Sequence, residues 1–243
     1  MLLRSGICRD RDHGVTQSHC GSFTTGAIEK CALTGAEHEV NFWRGYIAGR
    51  SHKYTTHQAF KQYFKKMIGD KRELHVADVG CGGLPLVGNC WTPDVKVHYH
   101  PSDMLADEYM AIWEELGLVP VVPIEKQTME RLTYPDKSMD IVFCSNAFDH
   151  CENPFAAIRE MERICKPGGW VHLRHATHEG KRRQYSGLHK WNVDIAEDGV
   201  DCEIWNRTEK FLLSACVPGF VNELHVKAFG KHADGVISNL QKE

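Results

Sequence analysis

Apolar residues begin to recur at helical spacing from about position 37. Phe42, Trp43, Tyr46 and Ile47 fall at i, i+1, i+4 and i+5, and Phe60, Tyr63, Phe64 and Met67 make a second stripe over about 56–68 that Gly69 stops. Strand-like and helix-like patterns then alternate. "ELHVADVG", "DVKVHYH", "LVPVVPIE", "SMDIVFCSNA" and "WVHLRHA" predict five strands. Between them, "DMLADEYMAIWEELG" carries Leu105, Tyr109, Ile112 and Leu116 on one face and ends at Gly117, and "PFAAIREMERIC" starts at Pro154 and stops before "KPGG". The fourth strand is almost continuously apolar, as a strand covered on both faces should be. This alternation predicts an α/β fold, a parallel sheet with helices on both faces. Two further strands, at about 223–229 and 235–240, are joined by the short "GKHADG" and predict an antiparallel closing hairpin. Residues 1–35 are polar, rich in Gly, Ser, Thr and His, and without a clear period. They predict a flexible segment, followed by a helical cap over 36–70 and an α/β domain over 71–243.

Composition narrows the function. The 243 residues carry a formal charge of −3 with the basic residues dispersed, which argues against a dedicated nucleic-acid binder; "GKRRQ" is the one basic run singled out, and it reads as a solvated loop. No apolar run approaches the ~20 residues that span a bilayer, and the first residues lack the apolar region of a secretory signal. The expectation is therefore a cytoplasmic protein with no membrane partner. Ten cysteines are present, but Cys144, Cys165 and Cys216 sit inside apolar segments, and no CxxC occurs. That pattern predicts reduced thiols and no metal site.

Candidate chemistry gathers at "VADVGCGGLPLVG", where an apolar strand meets Asp78 and then Gly80, Gly82 and Gly83. Glycines after the first strand let the backbone approach a ligand closely. The spacing is neither a phosphate loop nor G-x-G-x-x-G, since position 85 is Pro. Asp78 would repel a phosphate but suits a ligand bearing an ammonium group.

This stretch resembles the first motif of class I S-adenosylmethionine-dependent methyltransferases, in which an acid ends the first strand and a Gly-x-Gly turn follows. "VHYHPSDMLADEY", "ERLTYPDKSMDIVFCSNAFDH" and "REMERICKPGG" are similar to that family's later motifs, in the same order, and the resemblance covers about 73–176. It implies a Rossmann-like, mostly parallel seven-stranded sheet and S-adenosyl-L-methionine as cofactor. Asp78, Gly80, Gly82 and Gly83 would then form the cofactor loop. The family's ribose-binding acid falls on His100, with Asp103 able to reach in instead, and its adenine contact falls on Thr128 with Met129 beside it. After the fourth strand come Asn146, Asp149 and His150. Asn146 would contact the cofactor, and His150 is the candidate base because its unperturbed pKa lies near neutrality, with Asp149 orienting it. The run after the fifth strand offers Tyr185, His189 and Trp191 for the acceptor, and its "GLHKWN" is similar to methyltransferase-like domains of unassigned substrate. The implied activity is methyl transfer to a small-molecule or sugar-type acceptor. Two alternatives stand beside it: a degenerate, non-catalytic binding module, and a nucleotide-sugar or dinucleotide enzyme, which the glycine spacing disfavours.

Overall fold

A computed structural model of the chain describes residues 25–50, 64, 66–85, 95–120, 122–229 and 233–243. Helix α1 (Thr25–Arg50) is followed by β1 (Glu73–Val79), β2 (Lys96–Asp103), α2 (Ala106–Glu115), β3 (Glu125–Lys126), β4 (Met139–Ser145), α3 (Pro154–Ile164) and β5 (Cys165–Ala176). Next come the single turn α4 (Glu179–Arg182), the short strands β6 (Asn192–Ile195), β7 (Cys202–Trp205) and β8 (Lys210–Leu212), another single turn α5 (Leu213–Cys216), and the long strands β9 (Phe220–Phe229) and β10 (Ala233–Lys242).

The main sheet has seven strands in the order β3-β2-β1-β4-β5-β10-β9. The first five run parallel, and β10 pairs antiparallel with both β5 and β9. The parallel sheet, the helices between its strands and the closing hairpin follow the sequence pattern. β4 shows the physical basis most plainly: Met139 to Cys144 are all buried, because helices and loops cover both faces. Helix α3 is set by local chemistry at its start. Asn153 accepts a hydrogen bond from Ala156 N–H at 3.0 Å, and Pro154 occupies the first turn. Its buried residues Ala157, Ile158, Met161 and Ile164 lie on one face against β4 and β5.

Several expectations are corrected. In place of the strand expected over "LVPVVPIE" stands a two-residue β3 at its very end, Glu125–Lys126, of which only Glu125 belongs to that stretch; Pro120 and Pro123 lack the N–H groups a ladder needs. β2 continues three residues past the expected end, through Pro101 to Asp103. This is tolerated because β3 pairs only with Ser102 and Asp103, so Pro101 has no neighbour there to which it owes an N–H. Helix α1 begins at Thr25, inside the stretch expected to be flexible. A second, three-stranded antiparallel sheet, β6-β7-β8, was not anticipated at all. Most of the second cap helix, and all of 1–24, lie outside the described residues.

The strand order reverses between β1, which leads outward through β2 and β3, and β4. In open α/β sheets a ligand crevice opens beyond the strand ends at such a point.

Candidate functional site

The turn after β1 uses left-handed backbone at Gly80 (φ +67°) and Gly82 (φ +66°). A Cβ at Gly80 would stand 2.6 Å from Ala147 Cβ at the exit of β4, and a Cβ at Gly82 would stand 2.1 Å from the Trp43 indole on α1. The loop is thus held between the β4 exit and the cap helix with no room for side chains. Its N–H groups are tied down by the end of β2: Gly80 and Cys81 donate to Ser102 O at 2.8 and 3.0 Å, and Gly82 donates to Asp103 Oδ2 at 2.9 Å. The other Asp103 oxygen accepts from Leu105 N–H at 2.9 Å. Burial pushes the Asp103 carboxyl up to about 6, against the pull of those two donors.

A cavity opens over this loop at the switch point. Asp78, Asp103 and Glu39 give one wall acidic character, while Trp43, Thr128 and Met129 supply apolar surface. Asp78 is held in place by Tyr99, whose hydroxyl donates to its Oδ2 at 2.5 Å. Across the cavity stands Asn146, with φ +53°. Its Oδ1 accepts from Ala176 N–H at 3.1 Å, which ties the β4 exit to the end of β5.

Beyond Asn146 lies a cluster that no single motif announced. Asp149 is fully buried. Its Oδ1 accepts from His175 Nε2 at 2.8 Å, and its Oδ2 lies 2.6 Å from His189 Nδ1. His189 Nδ1 is also 3.2 Å from His150 Nε2. His175 Nδ1 faces the Ala176 carbonyl at 2.7 Å, so both nitrogens of that ring meet acceptors and the ring carries both protons. Burial opposes this charge, but the Asp149 charge and hydrogen bond outweigh it and raise the His175 pKa. Burial likewise opposes ionisation of Asp149, and its histidine partners hold it well below the usual carboxylate range. His150 lines the cavity, and burial lowers its pKa. Its Nε2 points at His189, so it stands as a member of the cluster rather than as an isolated base.

Most residues expected at the site come together here: Asp78, Gly80, Gly82, Asp103, Thr128, Met129, Asn146 and His150 all line the cavity, with Asp149 and His189 directly behind His150. Four do not. His100 sits three positions short of the end of β2 and packs beside His75 and Tyr134 instead, because the strand runs on to Asp103. Gly83 faces away: a Cβ there would meet Ile47 at 3.0 Å, and its carbonyl accepts from the Trp113 indole. Trp191 is buried in the core, donating to Cys151 O at 3.1 Å. Tyr185 packs under the Arg207 guanidinium, and its hydroxyl accepts from Asn192 Nδ2 at 3.1 Å. From the same run, Leu188 and Lys190 reach the cavity instead. The sequence reading also missed Glu39 and Trp43, which α1 brings onto the glycine loop. The aromatic stripe on that helix was their only signal.

Residues 77–173 match the family described as "Methyltransferase domain". An uncharacterized methyltransferase of Schizosaccharomyces pombe is 30% identical over 144 residues, covering 54% of this chain and 49% of the relative. A ubiquinone biosynthesis O-methyltransferase of Nitrosomonas europaea is 31% identical over 113 residues, covering 45% of this chain and 46% of the relative. The chain thus spans about half the length of these curated relatives. Among solved structures, an S-adenosylmethionine-dependent methyltransferase from Clostridium acetobutylicum has the same fold, with TM-score 0.50 and 11% identity over 83% of this chain and 98% of that one.

Proposed function

We propose that the chain, whose residues 77–173 match a methyltransferase domain, is an S-adenosylmethionine-dependent methyltransferase of class I that transfers a methyl group to a hydroxyl oxygen of a small-molecule acceptor. The observation that carries the reading is the glycine turn over β1, locked to Asp103 at the end of β2 and open to a cavity at the switch point. The residues present suit the cofactor. It carries a sulfonium and an ammonium group, and the wall formed by Asp78, Asp103 and Glu39 offers negative charge to both. When bound, it supplies an electrophilic methyl group. Asp103, rather than His100, is the carboxylate at the strand end suited to ribose hydroxyls. Thr128 and Met129 would flank the adenine.

What remains for the protein is orientation and water exclusion, which dominate an in-line transfer. Trp43 and Met129 close the cavity on apolar sides, and Asn146 is locked to the β5 end. The acceptor would lie against His150, Leu188 and Lys190, with its hydroxyl facing the Asp149–His150–His189 cluster. A hydroxyl acceptor is favoured by the presence of an O-methyltransferase among the relatives. Titration calorimetry with S-adenosylhomocysteine tests the cofactor half: wild type should bind, and Asp103→Ala should bind at least about tenfold more weakly. No heat of binding in wild type would leave a degenerate fold. A panel of hydroxylated acceptors with labelled cofactor tests the other half. His150→Ala should then lower kcat by ~10²–10⁴-fold while leaving S-adenosylhomocysteine affinity nearly unchanged.

A further inference from the structure

We propose that Asp149, His150 and His189 form a binding site for a divalent transition-metal ion of the zinc class, set in the acceptor-side wall of the cavity. Three ligand atoms of suitable chemistry converge there. His150 Nε2 and His189 Nδ1 are 3.2 Å apart, His189 Nδ1 is 2.6 Å from Asp149 Oδ2, and His150 Nε2 is 3.7 Å from Asp149 Oδ1. Ligands at ~2.0–2.1 Å around a tetrahedral ion stand about 3.3–3.4 Å from one another. The 3.2 Å spacing of the two imidazole nitrogens is already close to that edge, and the 2.6 Å His189–Asp149 contact would open by about 0.7 Å as an ion replaces the proton between them.

The chemistry of the contacts favours a cation over a plain hydrogen-bond network. Two imidazole nitrogens facing each other share one proton, whereas a cation takes a lone pair from each and a third from the carboxylate. The surroundings also match a metal centre. Asp149 is fully buried, and its Oδ1 is fixed by His175, whose other nitrogen is fixed in turn by the Ala176 carbonyl. Partners of this kind orient ligating groups in metal sites. His150 and its neighbour Cys151 line the cavity, so a coordination position left unfilled by protein opens onto it, as in sites that admit a water or substrate oxygen. Two nitrogens and a single carboxylate select borderline ions over Mg²⁺ and Ca²⁺, which want oxygen ligands. The ligands come from two loops whose histidines are 39 positions apart, which is why no spacing motif announced the site.

The site itself stands on the geometry. The role we give it rests on the cavity being a methyl-transfer site: the ion would hold the acceptor's hydroxyl oxygen and make its proton more acidic, that proton leaving to solvent water through the open cavity as the methyl group passes from the cofactor's sulfur to the oxygen. His150 would then act as a ligand, not as a base.

The full chain, stripped with chelator and dialysed against Zn²⁺, should retain one equivalent that His150→Gln and His189→Gln each lose and that His178→Gln keeps. His178 is a control, an exposed histidine paired with Asp194 away from the cavity. Zn²⁺ should raise the melting temperature of wild type and of His178→Gln but not of the other two variants, which separates lost binding from lost folding. Co²⁺ in place of Zn²⁺ should give ligand-field absorption that disappears in the same two variants. Equal zinc content in wild type, His150→Gln and His189→Gln, or none in wild type, overturns the proposal. S-adenosylhomocysteine binding is measured in parallel on metal-free and loaded chain. Its absence would sink the methyl-transfer reading and leave the metal result standing.

Discussion

Gly80 shows how little freedom the site leaves a single residue. Its φ of +67° already disfavours any side chain, and an added Cβ would lie 2.6 Å from that of Ala147. Gly80→Ala should therefore cost more than ~1 kcal/mol and weaken S-adenosylhomocysteine binding. Adding Ala147→Gly should recover part of the loss, because it removes the clash but not the backbone strain; urea denaturation of both variants measures this. Asp103 gives a pH prediction. Its carboxyl is held up at about 6, so it gains a proton as pH falls through that value and can no longer offer a full negative charge to hydroxyl donors. S-adenosylhomocysteine affinity should fall by up to about tenfold per pH unit below about 6, and calorimetry on Asp103→Asn should show a flat, weaker response. The stability effect of the same group has the opposite sign. Between about 6 and 3.8 the native state holds a proton that the unfolded chain does not, so as pH falls through that window this carboxyl favours the fold, and the affinity loss is not its unfolding.

Among the elements, α1 has the most direct claim on function. Its Trp43 indole covers Gly82, contacts Tyr109 edge-on, and has its N–H fixed by Glu39 Oε1 at 2.9 Å. Ile47, one turn on, is fully buried. The helix is therefore docked by one apolar face onto the cofactor loop and α2. Trp43→Ala should open the cavity on that side. We expect S-adenosylhomocysteine to bind at least about tenfold more weakly, with a smaller drop in melting temperature than Ile47→Ala produces; calorimetry and thermal melts read the two effects. The β4 exit is the complementary element: Asn146, Ala147, Asp149 and His150 follow one another, and each meets a different neighbour, β5, the glycine loop, His175 and His189 respectively.

At the scale of the whole molecule, the closing hairpin completes the core. Val236, Ile237 and Leu240 of β10 are buried beside β5, and Asn239 Oδ1 faces His172 Nδ1 at 2.6 Å. His172 stacks on Phe143 at 5.2 Å and is fully buried, which pulls its pKa down to about 4. Between about 6.5 and about 4 the unfolded chain takes up a proton that this ring refuses, so its contribution to stability is present at neutral pH and lost as pH falls. His172→Gln keeps an amide able to reach Asn239 and does not titrate. Its urea midpoint should drop less than that of wild type between pH 7 and pH 5.

The sequence by itself determined the elements whose pattern is long and self-consistent. β1, β4 and α3 were legible because burial on both faces demands an unbroken apolar run, and because Pro154 and the "KPGG" run mark the ends of a helix chemically. The glycine turn was legible too, since left-handed backbone narrows the choice of residue. Short strands were not: β6, β7 and β8 have three or four residues each, too few for a period to emerge from loop composition. Only the tertiary structure decided which side chains reach the cavity. Parallel register carried β2 past Pro101 and put Asp103, not His100, at the strand end. The loop after β5 turned Trp191 into the core and His189 toward Asp149, two positions apart in sequence and opposite in fate. A residue's type limits what it can bind, but convergence on one point depends on the directions in which separate loops leave the sheet, and those directions are fixed by packing between segments far apart in the chain.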